Sequence, residues 1–150
     1  MLLVLTRLAL LTGERDYMSR ASTLGATFPD EASRMLNGSG GFLAGFEYLI
    51  NALVIVVIGH KGNARTQDLL RAYWSKPMPS GMVMQVEPGD PLPPGHPATG
   101  RGMEGGQPTA YICQAGACSN PITSPVDLAN ALTLPPQLRG QQQQQQVRAG

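Results

Sequence analysis

Apolar residues follow one period in the first third of this chain and another in the middle. Residues 2–12 carry leucine at positions 2, 3, 5, 8, 10 and 11, compatible with helical burial, with Arg7 as a polar point. Thr12-Gly13 stops this helix, glycine being the usual residue after a helix end. Residues 14–26 predict a second helix with Tyr17, Ala21 and Leu24 on one face, broken at Phe28-Pro29. A short third helix over 30–36 is stopped by Asn37-Gly-Ser-Gly-Gly41, and a fourth covers 42–51. Helix, short loop, helix is the pattern of αα-hairpins.

The period then changes. Leu53-Val-Ile-Val-Val-Ile58 is a continuous, mostly β-branched run, which suits a strand buried on both faces. A turn over 59–63 leads to a helix over 64–74 with Leu69, Leu70 and Tyr73 on one face, then a loop over 77–81 and a strand over 82–86. Strand, helix, strand at this length predicts a parallel, right-handed βαβ unit. Residues 87–108 are rich in proline and glycine, show no periodicity and predict an extended or mobile loop. A third strand over 109–113, an extended stretch over 118–123 and a helix over 125–132 follow. Ser124 caps that helix, Pro125 suits its first turn, and Asp127 sits near its positive end. The run of glutamines over 141–146 predicts a disordered tail. The expected fold class is α+β: helical hairpins over 1–51, a small α/β unit over 52–134, and a Gln-rich tail over 135–150.

Composition narrows the function classes. Gly 18 and Pro 13 concentrate between 77 and 108 and near the C-terminus, so the rest of the chain builds only a small core. Lys+Arg 11 against Asp+Glu 10 gives a net charge of +1 with no basic face, and the aromatics (Phe 3, Tyr 4, Trp 1) are too scattered to stack bases. No nucleic-acid partner is expected. The leucine-rich start lacks a basic n-region and a cleavage site, and Arg7 interrupts it, so an amphipathic helix is preferred to a signal peptide. That favours the cytoplasm slightly and otherwise leaves the location open. The apolar stretch 42–58 contains Glu47 and Asn51 and changes character halfway, which argues for a helix followed by a strand rather than a membrane span. No membrane and no cofactor are expected.

Candidate chemistry is sparse. Cys113 and Cys118 are too few for a zinc site with four protein ligands, and no metal is expected. Their C-x-x-x-x-C spacing differs from the C-x-x-C redox motif that opens a helix. Three readings stay open: a redox pair, a structural or regulatory disulfide across a four-residue hairpin loop, and two ordinary thiols, which the spacing favours. The turn Gly59-His-Lys-Gly-Asn63 lies between a strand and a helix, where α/β proteins bind anions on backbone N–H groups. Gly59, Lys61, Gly62 and Asn63 are therefore candidate anion or nucleotide ligands. The Gly-x-x-Gly spacing matches no phosphate-binding motif, so a tight glycine turn is the plainer reading. His60 has no partner pattern in sequence, and His96 is expected in solvent. Glu47 is a candidate buried carboxylate, against the favoured reading that it faces outward.

Several stretches together resemble a known family. The segments 2–13, 42–53, 54–59, 64–73 and 109–123 resemble, in order, the C-terminal end of the spermatogenesis-associated protein 20 family of thioredoxin-domain-containing proteins. The most specific stretch is Ala110-Tyr-Ile-Cys-Gln-Ala-Gly-Ala-Cys-Ser-Asn-Pro-Ile-Thr123. The resemblance covers about 1–134, leaving out 87–108. It implies a longer parent with a thioredoxin-like domain and an (α/α) barrel similar to that of sugar epimerases and six-hairpin glycosidases. This chain would then be a non-catalytic end of that protein, an alternatively started or truncated product. Its partners would be the remainder of the barrel, or another copy, covering exposed apolar helix faces. Cys113 and Cys118 match the family pattern, but the resemblance transfers no role to them. A redox or carbohydrate-related function would belong to the parent.

Overall fold

The computed structural model of the chain describes residues 1–27 and 40–133. They form an α+β fold of helices and one four-stranded mixed sheet, divided into two compact units. One comprises Met1–Ala52 with Leu92–Thr99; the other comprises Leu53–Pro91 and the described residues from Gly100 on. The helix expected over 30–36 and the glutamine tail lie outside the described residues.

The first unit holds α1 (Leu2–Thr12), α2 (Arg15–Thr27) and α3 (Gly40–Asn51). The leucine spacing of α1 predicts leucine burial, but the buried line is Leu2, Thr6 and Ala9, while Val4 and Leu11 are exposed. Close approach explains this. A Cβ on Gly45 of α3 would meet Leu3 N at 3.0 Å and Leu2 Cβ at 3.2 Å, so small residues set the contact. The buried Thr6 hydroxyl donates to the Leu2 carbonyl at 3.0 Å, which offsets the cost of burying it. Arg7 turns out over the Tyr48 ring, 5.1 Å from its centre. Burial raises the Tyr48 pKa, and Arg7 opposes that shift.

Helix α1 ends where expected. Gly13 is left-handed at φ 74 and donates to the Ala9 carbonyl at 2.8 Å. Its missing side chain has a second use, since a Cβ there would collide with the backbone of Gly95. Residues 92–99 thus rest on the end of α1, and Ala98 is buried. The stretch 87–108, expected as an extended or mobile loop, runs as successive turns with no helix and no named strand.

The second unit holds β1 (Leu53–Ile58), α4 (Ala64–Trp74), β2 (Gly81–Val86), β3 (Thr109–Gln114), β4 (Ala117–Cys118) and α5 (Pro125–Thr133). Sheet order is β2-β1-β3-β4. β1 and β2 are parallel, from Leu53↔Gly81 to Ile58↔Val86, and β3 runs antiparallel on the other side of β1. β1 is buried along its whole length, as its composition predicts. Leu53, Ile55 and Val57 meet Leu69, Tyr73, Ile112, Leu128 and Leu132 in the core beneath α4 and α5. Asn63 caps α4, its side chain accepting from Arg65 N at 2.9 Å, and Ser124 Oγ accepts from Asp127 N at 3.3 Å at the start of α5.

Candidate functional site

The turn after β1 is built around a carboxylate from its own chain. His60–Asn63 closes through Asn63 N–H to the His60 carbonyl at 3.2 Å, and Gly62 takes φ 82, which a side chain would resist. Because β1 and β2 are parallel, their C-terminal ends lie side by side, and Glu87 follows β2 directly. Its Oε1 accepts the Lys61 N–H at 2.6 Å, and its Oε2 lies 3.0 Å from His60 Nδ1. Gln85 Nε2 donates to the Gly59 carbonyl at 3.1 Å, a second tie between the strand end and the turn. The structure brings Gly59, Lys61, Gly62 and Asn63 together, but the Lys61 N–H already holds Glu87. An external anion would have to displace that carboxylate.

The Lys61 N–H holds the Glu87 carboxyl below its ordinary value of 4.5; desolvation opposes this, and His60 adds a smaller lowering. A carboxylate with a depressed folded-state pKa stabilises the fold above its ordinary pKa and loses that contribution as pH falls through the depressed value. We therefore expect wild type to exceed Glu87→Gln in melting temperature at neutral pH. The gap should close as pH drops below 4.5. Paired thermal melts across that range check it, and a gap independent of pH would contradict the assignment.

Glu87 went unread in the sequence because it lies 26 residues from Lys61. The usable signal was topological: in a parallel βαβ unit, a residue just past the second strand faces the turn after the first.

Beneath the turn lies Thr66, fully buried on α4, whose hydroxyl has no hydrogen-bond partner among the described residues. It fills the space that a Gly59 side chain would need. Outside the turn, Arg65 Nη1 donates to Gln107 Oε1 at 2.8 Å.

Cys113 and Cys118 are bonded to each other. The favoured reading of two ordinary thiols is thereby corrected. They face each other across the β3–β4 pair, and Gln114 pairs with Ala117, so the loop is the two-residue turn Ala115-Gly116 and not four residues. Both turn residues have positive φ, 50 and 82, as a tight hairpin matched to strand twist requires. Ala115 pays a steric cost for it. Ala115→Asn should raise stability by about 0.5–1 kcal/mol, measured by chemical denaturation. The disulfide closes so short a loop that replacing both cysteines with serine should cost no more than about 2 kcal/mol by the same measurement.

The return chain then slips by one residue. Cys113↔Cys118 and Ala110↔Ile122 cannot share one register, and Ser119 absorbs the difference. Its N–H donates to the Ile112 carbonyl at 2.8 Å, and its Oγ accepts the Ile112 N–H at 3.0 Å. Ile122 thereby reaches the core. On the opposite face, Tyr111 donates its hydroxyl to the Gly102 carbonyl at 2.8 Å, and Arg101 lies over its ring.

The remaining candidates are dispersed. Glu47 is exposed and accepts from Asn51 Nδ2 at 2.9 Å, so it is not a buried carboxylate. His96 is half-buried rather than in solvent; its Nδ1 accepts the Ala98 N–H at 3.1 Å, and desolvation lowers its pKa. Among the described residues no three His, Cys, Asp or Glu side chains gather for a metal, and no helix is long and apolar enough to cross a membrane. Compared with family models, curated proteins and solved structures, the chain gives no match.

Proposed function

We propose that this chain is a non-catalytic end of a larger thioredoxin-domain protein of the spermatogenesis-associated protein 20 type. In this reading its helical unit is completed by further helices of an (α/α) barrel. The observation that carries the reading is the apolar surface left open on that unit. Leu43, Phe46 and Ile50 line one stripe of α3 at helical spacing, with Ile50 59% exposed, and Val4 and Leu11 line another on α1. Large exposed apolar surfaces mark sites that another element covers. An (α/α) barrel covers each hairpin with its neighbours, which is the burial these stripes lack. The resemblance of the sequence to that family supplies the occupant. The sheet unit supports a structural role: its turn is tied by Glu87 and its edge hairpin by a disulfide.

Long-read sequencing of the transcript tests this. An open frame continuing upstream of Met1 into barrel helices and a thioredoxin-like domain supports the reading. A stop codon in frame before Met1, with the short chain accumulating as a stable monomer, would overturn it.

A further inference from the structure

Three side chains of the sheet stand in one row. Val54 of β1 pairs with Cys113 of β3, and Cys113 pairs with Cys118 of β4. Directly opposed residues of antiparallel strands point to the same face, so the three are neighbours across the sheet. The disulfide joins the last two. A thiolate opens a disulfide by approaching one sulfur from the side opposite its partner, and the partner leaves with the bonding electrons. For Cys113 that approach passes over Val54, which is 3% exposed, and Cys113 itself is 5% exposed. For Cys118 it comes from beyond β4, and Cys118 is only half-buried. Strand order sets this difference within the sheet unit: β3 lies between β1 and β4, whereas β4 ends the sheet among the described residues. The two sulfurs of one bond therefore differ in access.

We infer that Cys118 is a thiol-exchange site, at which a low-molecular-weight thiol opens the bond and stays attached, while Cys113 is the sulfur released. The incoming thiolate forms a new S–S bond to Cys118 Sγ. The Cys113–Cys118 bond breaks, and Cys113 Sγ keeps the electron pair and takes a proton from solvent. Two routes follow. The Cys113 thiolate attacks Cys118 Sγ and expels the thiol, which restores the starting state. Alternatively, a second thiolate attacks the sulfur of the bound thiol, releasing an external disulfide and the Cys118 thiolate. That route reduces the protein pair by two electrons and oxidises two thiols to their disulfide. The fold suits a bond that opens. The cysteines are five positions apart, and a disulfide closing so short a loop adds little to stability, so the unit outlasts its loss. Cys113 stays fixed in β3 by its pairing with β1. Cys118 stays near it through the pair Gln114↔Ala117 and the Ser119 N–H on the Ile112 carbonyl. The released thiol thus remains beside the adduct, ready to close the bond again. None of this depends on the barrel reading.

Glutathione is the probe, applied to the full chain under native conditions, with exchange stopped by acid and adducts located by tandem mass spectrometry. Wild type should open with glutathione on Cys118 and a free thiol at Cys113. Glutathione disulfide added to single-cysteine variants then reads each sulfur alone. Cys113→Ser, which keeps Cys118, should form its mixed disulfide roughly tenfold faster or more than Cys118→Ser, which keeps Cys113. In denaturant the two rates should converge, since the difference comes from the fold. Where circular dichroism shows a variant unfolded, the wild-type map decides alone. Glutathione found on Cys113, equal native rates in two folded variants, or a wild-type bond that opens only after unfolding would overturn the inference. A folded wild type with two free thiols at every glutathione ratio would overturn it as well.

Discussion

Gly59→Ala should destabilise the sheet unit by roughly 3 kcal/mol. The added Cβ collides with Thr66 Oγ1 and comes within 3.0 Å of Pro108 Cβ and 3.3 Å of Thr66 Cγ2. None of these atoms can yield easily. Thr66 is fully buried, and Pro108 leads into β3, which is locked to β1. The cause is steric rather than conformational, because Gly59 does not take a positive φ. That makes the effect reversible by a second change. Thr66→Ala removes both offending atoms of that side chain and breaks no hydrogen bond, since the hydroxyl makes none among the described residues. The double variant should recover more than half of the loss, a coupling that separate effects would not show. Denaturation followed by fluorescence of Trp74, the one tryptophan, reports on this unit. Equal losses with and without Thr66→Ala would refute the account.

Leu69→Ala should cost about 3–4 kcal/mol. Leu69 is fully buried and projects from α4 into the cluster of Ile55, Val57, Ile112 and Leu128. Truncation there leaves a cavity among residues held from three sides by β1, β3 and α5, so little collapse is available to fill it. Trp74 on the same helix makes the contrast. It is larger but 72% exposed, and Trp74→Ala should shift stability far less. Calorimetric melts of both variants rank them. A larger loss at Trp74 than at Leu69 would mean that α4 packs by another face.

The elements were largely legible because their signals are local. The β-branched run 53–58 gave β1, and apolar residues at 69, 70 and 73 gave α4, whose cap Asn63 was read only as part of the turn. Gly13 and Pro125 marked a helix end and a helix start. What the sequence withheld depends on which distant pieces meet. Nothing local tells that β3 lies against β1, or that Glu87 reaches the Lys61 N–H. The cysteine spacing was compatible with thiols or a bond until the register set Cys113 opposite Cys118. The leucines of α1 misled because the closeness of α3, made possible by Gly45, moved burial onto Leu2, Thr6 and Ala9. That residues 92–99 meet the end of α1 was not legible, because the bare face of Gly13 lies about 80 positions away and is an absence of side chain, which no periodicity records.

The central claim is that the helical unit presents an apolar surface which its described residues leave open. A variant carrying Leu43→Gln, Phe46→Gln and Ile50→Gln addresses it directly, with wild type and variant compared for binding of a hydrophobic fluorescent dye and for thermal stability. The account predicts strong dye binding by wild type, its loss in the variant, and helicity and melting temperature that stay nearly unchanged, since these side chains are exposed. A variant that unfolds, or a wild type that binds no dye, would show that the stripe is core and contradict the claim.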